Sequence, residues 1–283
     1  MKFMNLLTIS LTFIILLILF LGGSVWIFAS LALVGFGSFY LFTDLPFGSI
    51  LANIFWNNTS GAAMMALPLF VFMGEILFRS KISENLFNGL CPWMDAIPGR
   101  LIHINIFACT LFAAVSGSSA ATTATVGKIT IPELTRRGYD KSLSIGSLAG
   151  SGTLGFLIPP SMMMLVYGMI AEVSIGQLFI AGFIPGLILA LMFSTYVIVK
   201  SLNNQNIAPA GKAHYSWHER IKAIPLLAPV IILIFIVLGS IYMGWATPTE
   251  AAAVGVAGAL FFALLIRGLS WEAFKTALMG SVK

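Results

Sequence analysis

Residues 116–123 read Ser116-Gly117-Ser118-Ser119-Ala120-Ala121-Thr122-Thr123, and residues 152–161 read Gly152-Thr153-Leu154-Gly155-Phe156-Leu157-Ile158-Pro159-Pro160-Ser161. Each interrupts a long apolar stretch with residues that a continuous helix tolerates poorly. Inside a bilayer, main-chain N–H and C=O groups find no water. Non-helical backbone at that depth is tolerated only where protein encloses it or where it lines a cavity. Paired breaks of this kind are the sequence pattern of an ion and substrate site in a secondary transporter.

The surrounding composition makes the bilayer setting necessary. Hydrophobic residues make up 59% of the 283 and charged residues only 9%, with a mean hydropathy of +0.99. A soluble domain carries roughly 25% charge. Such a chain cannot bury its apolar surface in one soluble core, so it is read as an integral membrane protein embedded in a lipid bilayer. The net charge of +5 does not point to nucleic acid, because the basic residues cluster between the apolar segments, where they set membrane orientation. Two cysteines, Cys91 and Cys109, imply no disulfide framework. The amino terminus has Lys2 followed by an apolar run to about Leu21. It lacks a small-x-small cleavage site, and a second apolar run follows at once, so it is expected to be a retained span.

Apolar segments fall at about 4–21, 25–43, 54–79, 101–131, 142–171, 177–200 and 223–241, with another near 249–267. No strand alternation runs far enough for a barrel. The expected fold is all-α and polytopic. Lys128, Arg136, Arg137 and Lys141 lie in one connection, and Lys200, Lys212, Arg220 and Lys222 around another. The turn between them, 172–177, holds Glu172 and no Lys or Arg. The positive-inside rule makes both basic connections cytoplasmic, along with the group Arg79, Lys81 and Arg100. Segment 101–131 then starts and ends on one side. It is expected to be a re-entrant helical hairpin with its tip near Ser116.

Elementary hydrogen bonding says what the second break offers. Pro159 and Pro160 have no N–H, so the carbonyls of Gly155 and Phe156 lose their helical partners. Residues before proline are pushed toward extended backbone, which disfavours helix at Leu157 and Ile158. A broken helix results, with a second half starting near Ser161. Free carbonyls at a half-helix C-terminus suit Na⁺, and a half-helix N-terminus favours an anion. At the hairpin tip Ser116, Ser118 and Ser119 supply neutral oxygens, and Gly117 permits close approach and positive φ. The second arm, from about Ala120, aims N–H groups and the Thr122 and Thr123 hydroxyls at the tip.

Four stretches carry a family likeness: LPLFVFMGEIL at 67–77, VSGSSAATTATVG at 115–127, GTLGFLIPPS at 152–161 and ATPTEAAAVG at 246–255, with IPELTRRGYD at 131–140 beside them. With these the chain resembles the large membrane subunit of tripartite ATP-independent periplasmic (TRAP) transporters. The resemblance implies a Na⁺-driven importer of organic acids in the bacterial inner membrane. It also implies a small membrane subunit, a periplasmic substrate-binding protein that delivers a small carboxylate, and an elevator-type motion. Carried over by motif, Na⁺ would lie between Ser116 and Ser118 of the tip and Gly155, Ile158 and Pro160 of the break. Substrate would meet Ser119, Thr122, Thr123 and Ser161. By the same likeness residues 1–100 would be scaffold, 101–176 the transport hairpin and broken helix, and 177–222 a span plus a cytoplasmic connection. Residues 223–283 would open a second, inverted repeat, whose own hairpin and Pro-Pro break are not in this sequence.

Other residues have plainer readings. Thr247-Pro248-Thr249-Glu250 reads as an N-cap, a first-position Pro and a capping-box Glu. Glu75 and Arg79, one turn apart, read as an ion pair. His214 and His218 have metal-compatible spacing but no third ligand, and an interfacial anchor beside Trp217 is favoured. Gly146 and Gly150 form a small-residue face for close helix packing. Trp56, Trp93, Trp217, Trp245 and Trp271 fit an aromatic belt. Arg136, Arg137 and Lys141 are read as orientation signals. Two rivals remain: an intramembrane serine hydrolase built on Ser118 and His103, and a passive channel or assembly scaffold. The organic acid itself, C4-dicarboxylate, sialic acid or another, is left open.

Overall fold

A computed structural model describes residues 6–43, 46–204, 207–209 and 215–282. The chain divides into two compact units between Ser60 and Gly61, well before residue 100, where the expected scaffold ends. The first unit holds α1 (Leu6–Gly22), α2 (Ile27–Phe42) and α3 (Phe47–Thr59). Aromatic side chains hold these helices together: Phe13 stacks on Phe42 at 6.5 Å, and Phe47 meets Phe36 and Phe39 at 5.5 and 5.3 Å. Most of its large apolar side chains, among them Ile14, Ile18, Phe28 and Trp56, are exposed. An apolar exterior of this kind suits hydrocarbon rather than water.

The second unit contains α4 (Ala66–Arg79), α5 (Ile82–Met94), α6 (His103–Ser116), α7 (Ser119–Arg136), α8 (Lys141–Gly152), α9 (Met162–Ile170), α10 (Ile175–Asn203), α11 (Trp217–Tyr242), α12 (Pro248–Leu265) and α13 (Trp271–Val282). Among the described residues no strand is found, and the protein is an all-α polytopic membrane protein. Three helices, α10, α11 and α12, are individually long and apolar enough to cross a bilayer. A helical stretch from Ala63 to Arg79 joins α5 through a bend of 69°. The expected single segment 54–79 is interrupted at Ser60-Gly61, where the small polar pair ends α3 and a 3₁₀ turn, Ala62–Met65, starts the next helix.

Helix α6 is the post around which this unit is built. Eleven of its fourteen residues are buried, and it packs against α4, α5, α7, α8, α10 and α11. Polar contacts fix its base. His103 donates from Nε2 to the Pro98 carbonyl at 2.8 Å, which leaves Nδ1 to accept from the Ser194 hydroxyl at 2.9 Å. Asn105 donates to the Ser144 carbonyl and the Ser147 hydroxyl, both at 2.9 Å, which ties α6 to α8. Helix α7 folds back along α6, so segment 101–131 is a helical hairpin, not one rod. At 1.5 Å per residue α6 is about 21 Å long, short of the roughly 30 Å hydrocarbon layer.

Two helices lie outside the expected apolar segments. Ser83, Glu84, Asn85 and Asn88 interrupt α5, yet its buried residues Ile82, Leu86, Phe87, Leu90 and Met94 recur at helical spacing and face one side. Helix α13 lays Phe274 against Phe72 of α4 at 5.9 Å. The Thr247–Glu250 capping box forms as expected, with Glu250 accepting from the Thr247 N–H at 2.8 Å and Thr247 accepting from the Glu250 N–H at 3.4 Å. The Glu75–Arg79 pair closes at 2.6 Å. Arg136 and Arg137 both pair with Glu133 at 2.7 Å, a local role beside the expected topological one. Trp56, Trp217, Trp245 and Trp271 are exposed, whereas Trp93 is half-buried with its ring 6.5 Å from Trp217. The small-residue face behaves unevenly. A Cβ on Gly150 would touch Phe193 of α10 at 3.4 Å, but one on Gly146 would meet open space, so only Gly150 serves close packing. His218 is exposed, and His214 lies outside the described residues.

The contact between α4 and the hairpin is set by one glycine. A Cβ on Gly74 would stand 2.5 Å from Ser116 Cβ and 2.9 Å from its Cα, so α4 and α6 cross with no room for a methyl group. Overpacking of this kind costs about 1–3 kcal/mol. Gly74→Ala is expected to lower the thermal unfolding midpoint of the detergent-solubilised protein, whereas Gly146→Ala, whose Cβ meets open space, leaves it unchanged or slightly raises it. An unshifted midpoint in Gly74→Ala would reject the tight crossing.

Candidate functional site

The hairpin tip is shaped by one residue with positive φ and one N-cap. Gly117 ends α6 at φ +61°, a conformation that costs glycine little. Ser118 then turns extended, and its hydroxyl accepts from the Ala121 N–H at 3.3 Å, capping α7. Ser116 Oγ accepts from the Ser118 N–H at 3.3 Å and shares a 3.0 Å hydrogen bond with Thr122 Oγ1. The second arm therefore starts at Ser119, one residue before the expected start.

The break in 152–161 is equally defined. After α8 a 3₁₀ turn, Thr153–Phe156, tightens the chain, and α9 begins behind the N-cap Ser161. The Leu154 carbonyl accepts from both Leu157 N–H (3.0 Å) and Ile158 N–H (2.8 Å). Helical bonding thus persists to Ile158, slightly further than the proline effect alone suggested, and Leu157 keeps αR backbone. The Phe156 carbonyl, stripped of its helical donor, takes the Ser161 hydroxyl instead at 2.9 Å. Among the described residues no donor reaches the Gly155 carbonyl. Of the two carbonyls expected to be free, one is.

These two irregular stretches face each other. Ser119 donates its hydroxyl to the Gly152 carbonyl at 2.7 Å, and the Met162 N–H points to the Gly117 carbonyl at 3.4 Å. A Cβ on Gly155 would stand 2.9 Å from Ser119 N and 3.0 Å from its Cα. A Cβ on Gly117 would stand 2.6 Å from the Pro160 carbonyl oxygen. Backbone therefore lies on backbone, with glycine on both sides. Thr123 donates to the Ser119 carbonyl at 2.8 Å and lies against Gly152, where no side chain would fit.

Of the residues expected at the site, Ser116, Ser118, Ser119, Gly155 and Pro160 meet at this junction. Ile158 lies in the break, but its side chain turns away onto Gly186 of α10. Ser116, Thr122, Ser161 and Ile158 are buried, while Ser118, Ser119 and Thr123 are half-buried. None of the nine carries a titratable side chain, so the junction presents hydroxyl and carbonyl oxygens with no formal charge. Such a donor set fits a hard monovalent cation; a site for calcium would recruit carboxylates. Among the described residues no cluster of His, Cys, Asp or Glu could hold a metal. Gly74 and Gly152 were not singled out in the sequence. Their signal was weak: an interior helical glycine costs stability and so implies a packing reason.

The arrangement leaves the hydrolase rival without its base. His103 stands at the opposite end of α6 from Ser118, about 20 Å away by helical rise, and both its ring nitrogens are engaged elsewhere.

A helical hairpin meeting a broken helix by its tip, in an all-α membrane protein, is an arrangement of discontinuous helices of the kind secondary transporters carry at their binding sites. The particular family follows from sequence comparison. The model of the tripartite ATP-independent periplasmic transporter, DctM component, matches residues 13–283, and the chain belongs to this family. It is 34% identical over 264 residues to the ectoine/5-hydroxyectoine TRAP transporter large permease protein UehC of Ruegeria pomeroyi, which covers 92% of this chain and 59% of the relative. It is 36% identical over 238 residues to the C4-dicarboxylate TRAP transporter large permease protein DctM of Pseudomonas aeruginosa (84% and 55%). It is 36% identical over 205 residues to the sialic acid TRAP transporter large permease protein SiaM of Vibrio cholerae (72% and 47%). The chain spans about half the length of the curated relatives it matches.

The Ser119–Gly152 hydrogen bond should be worth about 0.5–1.5 kcal/mol. Ser119→Ala is therefore expected to speed amide hydrogen exchange in residues 117–123 and 153–158 roughly two- to tenfold, with α11 unaffected. Equal exchange in both proteins would show that the tip is held without this bond.

Proposed function

We propose that the chain forms part of the permease subunit of a Na⁺-driven secondary transporter. Its cargo is an organic acid anion, delivered by a periplasmic binding protein, and it works with a small membrane subunit in the bacterial inner membrane. The observation that carries this reading is Gly155, a buried residue packed against the hairpin tip, whose carbonyl has no helical donor because Pro159 lacks an N–H. A buried, unpartnered carbonyl costs free energy. A cation that takes it as a ligand recovers that cost.

In this reading Na⁺ is bound by oxygens of Ser116 and Ser118 from the tip and of Gly155, Ile158 and Pro160 from the break. The anion then meets Ser119, Thr123 and Ser161 near the first turns of α7 and α9, whose N-termini favour negative charge. Thr122 stands behind the tip and orients Ser116. Residues 61–100 fold in one compact unit with the hairpin, so in this proposal α4 and α5 accompany the transport region and the first sixty residues belong to the scaffold. Segment 101–131 is taken as re-entrant, with its basic ends on the cytoplasmic side. Relatives are named for ectoine, C4-dicarboxylate and sialic acid, all of which carry a carboxylate. That shared group is the part of the substrate we assign to the junction.

The test is uptake by the full transporter in proteoliposomes, with radiolabelled succinate, ectoine and N-acetylneuraminate as probes. Uptake should require both an inward Na⁺ gradient and the binding protein. Gly155→Val should abolish it while leaving membrane insertion intact, because the new side chain occupies the junction without adding charge. Na⁺-independent uptake, or unchanged Na⁺ dependence in Gly155→Val, would overturn the assignment. Since no ligand here titrates, the half-saturating Na⁺ concentration should stay constant between about pH 6 and about pH 8. A strong drift over that range would instead demand an ionisable ligand.

A further inference from the structure

A cavity of about 650 Å³ lies beside the hairpin, between α7 and the α4–α5 bend. One wall is a single face of α7: Ala121, Ala124, Thr125 and Lys128, at helical spacing. This wall starts one turn beyond the N-cap Ser118 and runs about 10 Å to Lys128. The opposite wall is the bend itself, with Arg79, Lys81 and Glu84. The Lys81 N–H donates to the Gly268 carbonyl at 3.3 Å, and a Cβ on Gly268 would stand 2.9 Å from Lys81 N. The α12–α13 turn thus clamps the bend and fixes where Lys81 stands.

The charges of this cavity do not cancel. Arg79 is satisfied by Glu75 at 2.6 Å. Among the described residues no ion pair is found for Lys81, Lys128 or Glu84, which leaves two ammonium groups against one carboxylate. All three are exposed, and the α7 wall runs from Lys128 back to Ala121, one turn from the hairpin tip. Arg79, Lys81 and Lys128 stand in the lining against Glu75 and Glu84, and the net positive charge that remains raises the local concentration of anions.

We propose that this cavity is a staging site for a small carboxylate or sulfonate anion, held by Lys81 and Lys128 on its way between the hairpin tip and the face that bears them. Its place on a transport route rests on the function proposed above; its preference for anions rests on the cavity alone. The closing experiment separates the two. In the full transporter, with this chain carrying Cys91→Ala and Cys109→Ala, Thr125→Cys places a thiol on the α7 wall. Its labelling rates are measured in phosphatidylcholine nanodiscs with anionic (sulfonatoethyl) and cationic (trimethylammonium-ethyl) methanethiosulfonates, each normalised to its rate with a free thiol. The anionic reagent should be favoured roughly fivefold or more. Lys81→Gln with Lys128→Gln should remove the preference, and Lys81→Arg with Lys128→Arg should restore it. Millimolar succinate or isethionate should slow labelling, and mannitol should not.

No anionic preference, or one indifferent to the lysines, overturns the proposal. Protection by added phosphatidylglycerol but not by succinate also overturns it, since the cavity then takes a lipid headgroup. Na⁺-independent uptake alongside an intact anionic preference would reject the transport reading and leave the anion site standing.

Discussion

The junction in the second unit is arranged around one problem of hydrogen bonding. Two consecutive prolines remove the donors that a helix would have given to the carbonyls of Gly155 and Phe156, in a setting that offers no water. The protein solves half of it locally, by turning the Ser161 hydroxyl back onto Phe156. The other half is left open: the Gly155 carbonyl has no donor among the described residues, and packing only encloses it. Gly155 lies against the backbone of Ser118 and Ser119, and the hairpin tip encloses the break. Tip and break are joined by the Ser119–Gly152 hydrogen bond and by the Met162 N–H on the Gly117 carbonyl.

That pairing dictates glycine at the contact surfaces. Gly117 lies on the Pro160 carbonyl, Gly155 on Ser119, Gly152 on Thr123 and Gly74 on Ser116. Each lets main chain or a short polar side chain approach within distances no Cβ would allow. The rigid support comes from α6, buried on nearly every face and tied at its base by His103 and Asn105. A buried post carrying a polar tip keeps hydroxyl oxygens fixed in place, and pre-organised donors need no reordering when a ligand arrives.

Much of this was legible in the sequence because the rules that produce it are local. Proline lacks an N–H wherever it stands, so the break at 152–161 and the freed Gly155 carbonyl could be read directly. The hairpin was legible from charge, through Arg100 and Lys128 at its two ends. What escaped was set by tertiary contact. Ser161 rescues Phe156 through a side-chain bond that no spacing rule announces. The helix α5 carries too many polar residues to stand out by hydropathy, and only its partners α6 and α11 reveal its apolar face. Gly146 and Gly150 look alike in sequence, yet only one has a neighbour close enough to matter. Lys81 and Lys128 read as orientation signals until the fold placed them around one cavity.

The neutral character of the junction bears on how two ligands could be coupled there. An anion brought alone to a site of hydroxyl and carbonyl oxygens meets acceptors as well as donors, and gains little. If Na⁺ is already held by Gly155 and its neighbours, the anion meets a full positive charge. At a separation of about 5 Å and an effective dielectric of about 20, that attraction is worth about 3 kcal/mol. Converted to affinity it is a factor of more than a hundred, and by reciprocity the anion tightens Na⁺ to the same degree. A fixed carboxylate among the ligands would weaken this coupling, because Na⁺ would then neutralise the protein's own charge. In the proposed Na⁺-coupled transporter, a junction built only of the nine neutral residues named above would let the cation govern the anion through charge alone.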